Sequence, residues 1–237
     1  PEIWAIAKTC AERLMIDVPK VFVRNAPNKM EIYSISAENT SPVIVLTSGL
    51  CEKCTKDELS YLIGCECGHI QNNHCIYYQA APSFGIIMDS EVVNPVTDNG
   101  KQLASVMMDW LTLSCVTADR AGIICLDRPQ DFSSVFISLR EKGLNDIYSR
   151  TGQIFDKNKA EKMYETLHVT PARSISLDSS TNFLERRYFA GMEFLNCETL
   201  YSWRNDIGGD DLHTVNKQAL EVRCEIILGS DSGKAGV

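Results

Sequence analysis

The stretch Thr55–His74, TKDELSYLIGCECGHIQNNH, constrains this chain more than any other. Thr55-Lys-Asp-Glu58 has the spacing of a capping box, in which the Thr oxygen and the Glu carboxylate satisfy free backbone amides at a helix start. The spacing predicts a helix from there to about Tyr78. Inside its apolar run stand Glu66 and His69, two groups that are costly to bury without a purpose or a partner. Cys65 and His69 are four residues apart, so they project from one face, about 40° apart around the axis. The chemistry of the chain is to be sought on this helix.

Five consecutive positions, Cys65-Glu66-Cys67-Gly68-His69, have the layout of the His-Glu-x-x-His motif. In that motif two imidazoles at i and i+4 hold zinc, and the Glu between them is the general base. The base and the second ligand are present, and a cysteine stands in place of the first histidine. Zinc accepts thiolate as well as imidazole, and a site of two Cys and one His with an open position is a catalytic arrangement. Gly68 leaves room for a close neighbour.

With 237 residues the chain is long enough for one substantial core, or one domain with an appendage. The formal charge of −8 argues against a nucleic-acid partner, which would meet a basic face. No run of 18 apolar residues occurs, so no integral membrane segment is expected. Six of the ten cysteines (Cys10, Cys67, Cys115, Cys125, Cys197, Cys224) fall inside apolar helical patterns. Buried free cysteine behaves as a small hydrophobe, so the expected setting is cytoplasmic or another reducing compartment.

Residues 2–16 carry apolar positions at Ile3, Ala7, Cys10 and Leu14, the spacing of an amphipathic helix. Pro19–Arg24, Met30–Ser36 and Pro42–Thr47 read as strands. Ala80–Gly100, with Pro82, Pro95 and Asn99-Gly100, reads as an excursion or lid. A long helix is expected from about Lys101 to Leu126, with Leu111, Cys115, Ala118, Gly122 and Cys125 as its stripe. Asp131 is a candidate cap for a short helix ending at Gly143. Helices follow over Asn158–His168, Asn182–Arg204 and Thr214–Leu228, with Gly229 as a stop. The whole is α+β: a small N-terminal sheet of three or four strands, an active-site helix and a helical C-terminal part. The expected division is 1–142 for the core, 143–229 for a helical extension on the same domain, and 230–237 for a flexible tail.

The long helix contains Ser114-Cys115-Val116-Thr117-Ala118-Asp119-Arg120-Ala121-Gly122. With Ile16–Val23, Pro42–Leu50 and Asp57-Glu58-Leu59 it resembles, in order over roughly residues 1–140, the HtpX-like, CAAX-prenyl-protease-type zinc metallopeptidases. These carry His-Glu-x-x-His followed by Glu-x-x-Ala-Asp-Arg-Ala-Gly. The resemblance implies a zincin-like (gluzincin) domain, one zinc ion, and a peptide or protein substrate or partner. It makes Glu66 the general base and His69 a zinc ligand, and Cys115 falls where the family has its ligand Glu. Asp119 matches the Asp that orients a ligand histidine. An edge strand above the active helix, here Met30, Glu31, Ile32, Tyr33 and Ser34, would pair with extended substrate.

Two of the three ligand positions are thus cysteine. The leading expectation is a zinc-dependent endopeptidase with a retained site of Cys65, His69 and Cys115; the alternatives are a metal-free pseudopeptidase serving as a binding or scaffold subunit, or a Cys65–Cys115 disulfide. In the first, Glu66 would deprotonate a metal-bound water that attacks a peptide carbonyl. The thiolates would make zinc a weaker Lewis acid there. If Asp119 has lost its histidine, Arg120 or another cation is the expected replacement. Cys51-x-x-Cys54 lacks a second knuckle, and both read as small apolar residues before the cap. His74 lies off the ligand face and reads as surface or as support for the site. His168 and His213 stand alone; the family's frequent His-Pro before its last helix links His213 only weakly, because no Pro follows it.

Overall fold

The structure is a computed structural model that describes residues 2–37, 40–80, 98–144, 154–208 and 215–229; of the side chains at 80, 98–105, 108 and 112 nothing is said. The excursion expected over 80–100 falls largely outside these residues, as do His213 and the tail 230–237. The chain divides into two compact units, Pro1–Gly152 and Gln153–Val237.

Unit 1 opens with α1 (Glu2–Arg13), whose Ile6, Ala7, Cys10 and Ala11 are buried. Three strands follow: β1 (Lys20–Arg24), β2 (Ile32–Ile35) and β3 (Val43–Thr47). Their spatial order is β1-β3-β2, with β1 parallel and β2 antiparallel to β3. Alternation sends Ile44 and Leu46 of β3 and Ile32 and Ser34 of β2 to the buried face, which packs on the helices. Residues Ser48–Lys53 form a short helix, α2, where the sequence reading had only two cysteines before a cap; Cys51 and Cys54 are half-buried.

The expected capping box is present. Thr55 Oγ1 accepts from the Glu58 amide, Glu58 accepts from the Thr55 amide, and α3 runs over Lys56–Gln71. It does not continue to Tyr78. Asn73 adopts a left-handed conformation (φ 55°), which an asparagine tolerates and a helix does not, and α4 (His74–Ala80) starts afresh in a new direction.

Helix α5 (Asp98–Cys125) is buried against α3. Three glycines let the two backbones approach. A Cβ on Gly68 would stand 2.5 Å from Ala121 Cβ, one on Gly64 would stand 2.6 Å from Cys125 Cβ, and one on Gly122 would meet Cys65 Sγ at 2.6 Å. Helix α6 (Phe132–Glu141) packs on the N-terminal half of α3. Asp131 precedes it but pairs with Arg128 and makes no side-chain cap bond.

Unit 2 contains α7 (Lys157–Val169), α8 (Phe183–Phe194), α9 (Glu198–Trp203) and α10 (Lys217–Leu228). The helix expected over Asn182–Arg204 is broken at Asn196-Cys197, where Cys197 makes a bridge with Val215. Asn182 and Asn216 cap α8 and α10, and Gly229 ends the last helix at φ 70°. The boundary falls at Gly152/Gln153, ten residues beyond the division drawn from the sequence.

Candidate functional site

The buried face of α3 carries Tyr61, Cys65, Glu66 and His69, all under 10% exposed. Glu66 faces the sheet. Ser34 Oγ donates to Glu66 Oε2 at 2.6 Å, and Cys75 Sγ lies 3.3 Å from the same hydroxyl. β2 is an outer strand of the sheet and contains Ile32, Tyr33 and Ser34; Met30 and Glu31 lead into it. The candidate general base and the candidate substrate strand are therefore joined through one serine.

His69 points toward α4. Its Nδ1 lies 3.0 Å from His74 Nδ1, and the ring meets His74 and Tyr78 edge-on. His74 is buried (6% exposed), contrary to a surface placement. Burial pushes its pKa down to about 4, so at neutral pH it is the uncharged imidazole. One of the two Nδ1 atoms then donates and the other accepts. Trp110 closes the far side of His74 with an edge contact at 5.1 Å.

Asp119, fully buried on α5, accepts from Tyr61 Oη at 2.8 Å. A phenol is thus one partner of this carboxylate, for which the sequence suggested Arg120 or another cation. Cys115 Sγ donates back to Leu111 O at 3.4 Å and lies 3.8 Å from Tyr78 Oη, which also bonds Ser114 Oγ. All ten cysteines are free thiols. Burial raises the pKa of Cys75, and the Ser34 hydrogen bond offsets this only in part; burial also pushes Cys67 and Cys125 well up.

Helices α3 and α5 thus hold Cys65, His69 and Cys115 in one unit, with the two sulfurs against different neighbours. The Cys65 sulfur lies against Gly122. Cys115 is seven residues earlier on α5, about 10 Å along the axis, and turns back toward Leu111. One zinc ion takes each sulfur at about 2.3 Å, so the two sulfurs would have to stand roughly 4 Å apart. Imidazole and Glu donors lie three bonds beyond Cβ; a thiol sulfur lies one bond beyond it. Two short arms on helices whose spacing is set by glycine contacts do not reach a common point. Among the described residues no three His, Cys, Asp or Glu side chains are grouped to hold a metal ion. As they stand, these donors do not fit the zinc that the family implies.

Sequence reasoning missed Ser34's side chain, Tyr61, Cys75 and Tyr78. Two signals were available. Ser34 is the one polar residue on the inward face of β2, and Tyr61 lies one helical turn before Cys65.

A small sheet laid on a helix that carries Glu66 and His69, crossed by a second helix bearing Ala118-Asp119-Arg120, defines a peptidase-type α+β domain. The chain belongs to peptidase family M48, whose profile matches residues 1–140. It is similar to the plastoglobule-localized metallopeptidase 48, chloroplastic, of Arabidopsis thaliana, with 26% identity over 139 residues. That match takes in 54% of this chain and 37% of the relative's length. No solved structure matches. Among the described residues no helix is long and apolar enough to cross a membrane.

Proposed function

We propose that this chain uses the M48 scaffold to bind an extended peptide or protein segment along β2, as a pseudopeptidase, with no dependence on metal. The observation that carries this reading is the set of neighbours around the candidate site positions. Glu66 is bonded by Ser34, His69 by His74, and Asp119 by Tyr61, while the sulfur of Cys65 lies against Gly122 and that of Cys115 against Leu111 O and Tyr78 Oη. A strand edge still lies beside Glu66, and main-chain pairing along such an edge is tolerant of sequence. The eight buried thiols suit a reducing compartment.

A hydrolytic reading, with Cys65, His69 and Cys115 around one zinc, has one observation in its favour: Glu66 and His69 remain in register with Ala118-Asp119-Arg120. The two readings separate in a single series. Reduced, unstructured casein serves as the extended probe, and the purified protein is titrated with zinc. The pseudopeptidase reading expects casein binding that survives chelator and Glu66→Gln, and a melting temperature unmoved by zinc. One equivalent of tightly bound zinc, a raised melting temperature and casein cleavage abolished by Glu66→Gln would reverse the conclusion.

A further inference from the structure

The sheet has a second edge, on the side away from β2. Among the described residues nothing pairs with the outer edge of β1, whose sequence is Lys20-Val21-Phe22-Val23-Arg24. The register places Lys20 beside Val43, Phe22 beside Val45 and Arg24 beside Thr47, while β3 sets Val45 against Tyr33 and Val43 against Ile35. Lys20, Phe22, Val43, Val45, Tyr33 and Ile35 therefore share the sheet face turned away from buried Ile44 and Leu46. Phe22 is 55% exposed and Ile35 45%, and on the opposite face Val23 is 49% exposed. An uncapped edge with an exposed aromatic at its centre is a template for another strand.

Charge selects the occupant. Both ends of β1 are basic. Lys20 is exposed, and Arg24 shares Glu31 with Lys29, which leaves one net positive charge at that end. A second copy pairing antiparallel about Phe22 would set Lys20 against Arg24 twice, and like charges directly opposite are destabilising. A five-residue strand also covers far less than the roughly 1,200 Å² expected of a stable dimer. Asp17 lies three residues before Lys20, beyond the paired stretch.

We infer that the outer edge of β1 docks an extended acidic segment of a partner protein by strand addition. In the partner, positions i and i+4 are Asp or Glu and i+2 is apolar, so that they stand opposite Lys20, Arg24 and Phe22. This surface is separate from β2 and does not depend on whether the α3 site binds peptide, metal or neither.

The test uses the full chain and fluorescein-labelled peptides with the core Asp-Val-Phe-Val-Glu, the same core flanked by Lys in place of the acids, and the acidic core N-methylated at alternate residues. Fluorescence anisotropy should show binding of the acidic peptide, weakened by salt, with the Lys-flanked and N-methylated peptides about tenfold weaker or worse. Lys20→Glu should weaken the acidic peptide and strengthen the Lys-flanked one. Phe22→Ala, at an exposed position, should weaken both. Equal binding of all three peptides, or none, by a protein with native circular dichroism would overturn the proposal. So would a wild-type dimer in sedimentation velocity that excludes the acidic peptide from this edge.

Discussion

The buried carboxylates of unit 2 are bonded by cations, and those of the candidate site in unit 1 take hydroxyl donors. In unit 2, Glu193 takes two bonds from the Arg223 guanidinium, at 2.6 and 2.8 Å, and Glu185 takes the Lys159 ammonium at 3.0 Å while closing a capping box on α8. Arg223 also donates to the carbonyls of Leu167 and Thr170, so it ties α10 and α8 to the end of α7. In unit 1, Glu66 and Asp119 are as deeply buried, and each accepts from a hydroxyl, of Ser34 and Tyr61 respectively. Glu58, at the start of α3, follows the unit 2 pattern, bonded by Lys142 and Ser138. Acids that serve the fold are met by cations. Glu66 and Asp119, the two carboxylates of the candidate site, each carry a hydroxyl donor.

The largest effect should come from breaking a cation-paired acid. Arg223→Met strands Glu193 in the interior of unit 2 and should cost about 3–5 kcal/mol in denaturant unfolding. A loss under 1 kcal/mol would put Glu193 in the same class as Glu66 and erase the contrast. Next in size, Glu58→Ala removes both the α3 cap and the partner of Lys142, for about 2–4 kcal/mol.

Glu58 also carries a pH signature. Burial raises its pKa, but bonds from Lys142, Ser138 and the Thr55 amide outweigh burial and hold it below the usual 4.5. A folded-state pKa below the unfolded one means that the carboxylate stabilises unit 1 fully above about pH 4.5. That contribution is lost as pH falls through the lowered value. Glu58→Gln should flatten the acid limb of the stability curve, and an unchanged limb would show that Lys142 adds little.

Gly68→Ala drives a methyl into Ala121 across the α3–α5 seam and should cost about 1–3 kcal/mol, read as a lower melting temperature. The smallest change should be Glu66→Gln. Its amide oxygen can accept from Ser34 as the carboxylate does, so a loss within about 1 kcal/mol is expected. A cost matching Arg223→Met would mean that Glu66 is structural after all.

Much of the fold was readable because local rules and tertiary packing agreed. The Thr55/Glu58 box, the three short strands rich in Val and Ile, the long α5 stripe and Gly229 all mark themselves in the sequence. The misplaced boundaries share a cause: an apolar pattern continues across a backbone that has turned. Nothing in the spacing of Tyr77 and Tyr78 shows that Asn73 goes left-handed and that His74 and Tyr78 of α4 meet the His69 ring. Likewise, Cys197 leaves α8 to bridge Val215. At the site, the spacing of Glu66, His69 and Asp119 marked the candidate positions. It did not reveal the partners. Ser34, Tyr61 and His74 reach those groups from a strand, from the preceding turn and from a separate helix, and such meetings are decided by three-dimensional packing.

The thiols offer a different use. Cys10, Cys65, Cys67, Cys75, Cys115, Cys125, Cys197 and Cys224 are buried, while Cys51 and Cys54 are half-exposed on and just after α2. Alkylation of a buried thiol waits for the surrounding structure to open, so its rate reports the free energy of that opening. The chain thus carries its own footprinting labels. Cys65 and Cys115 sit on the two site helices, Cys75 on α4, Cys10 on α1, and Cys197 and Cys224 in unit 2. Peptide mapping of alkylation over time would rank which of these elements opens first.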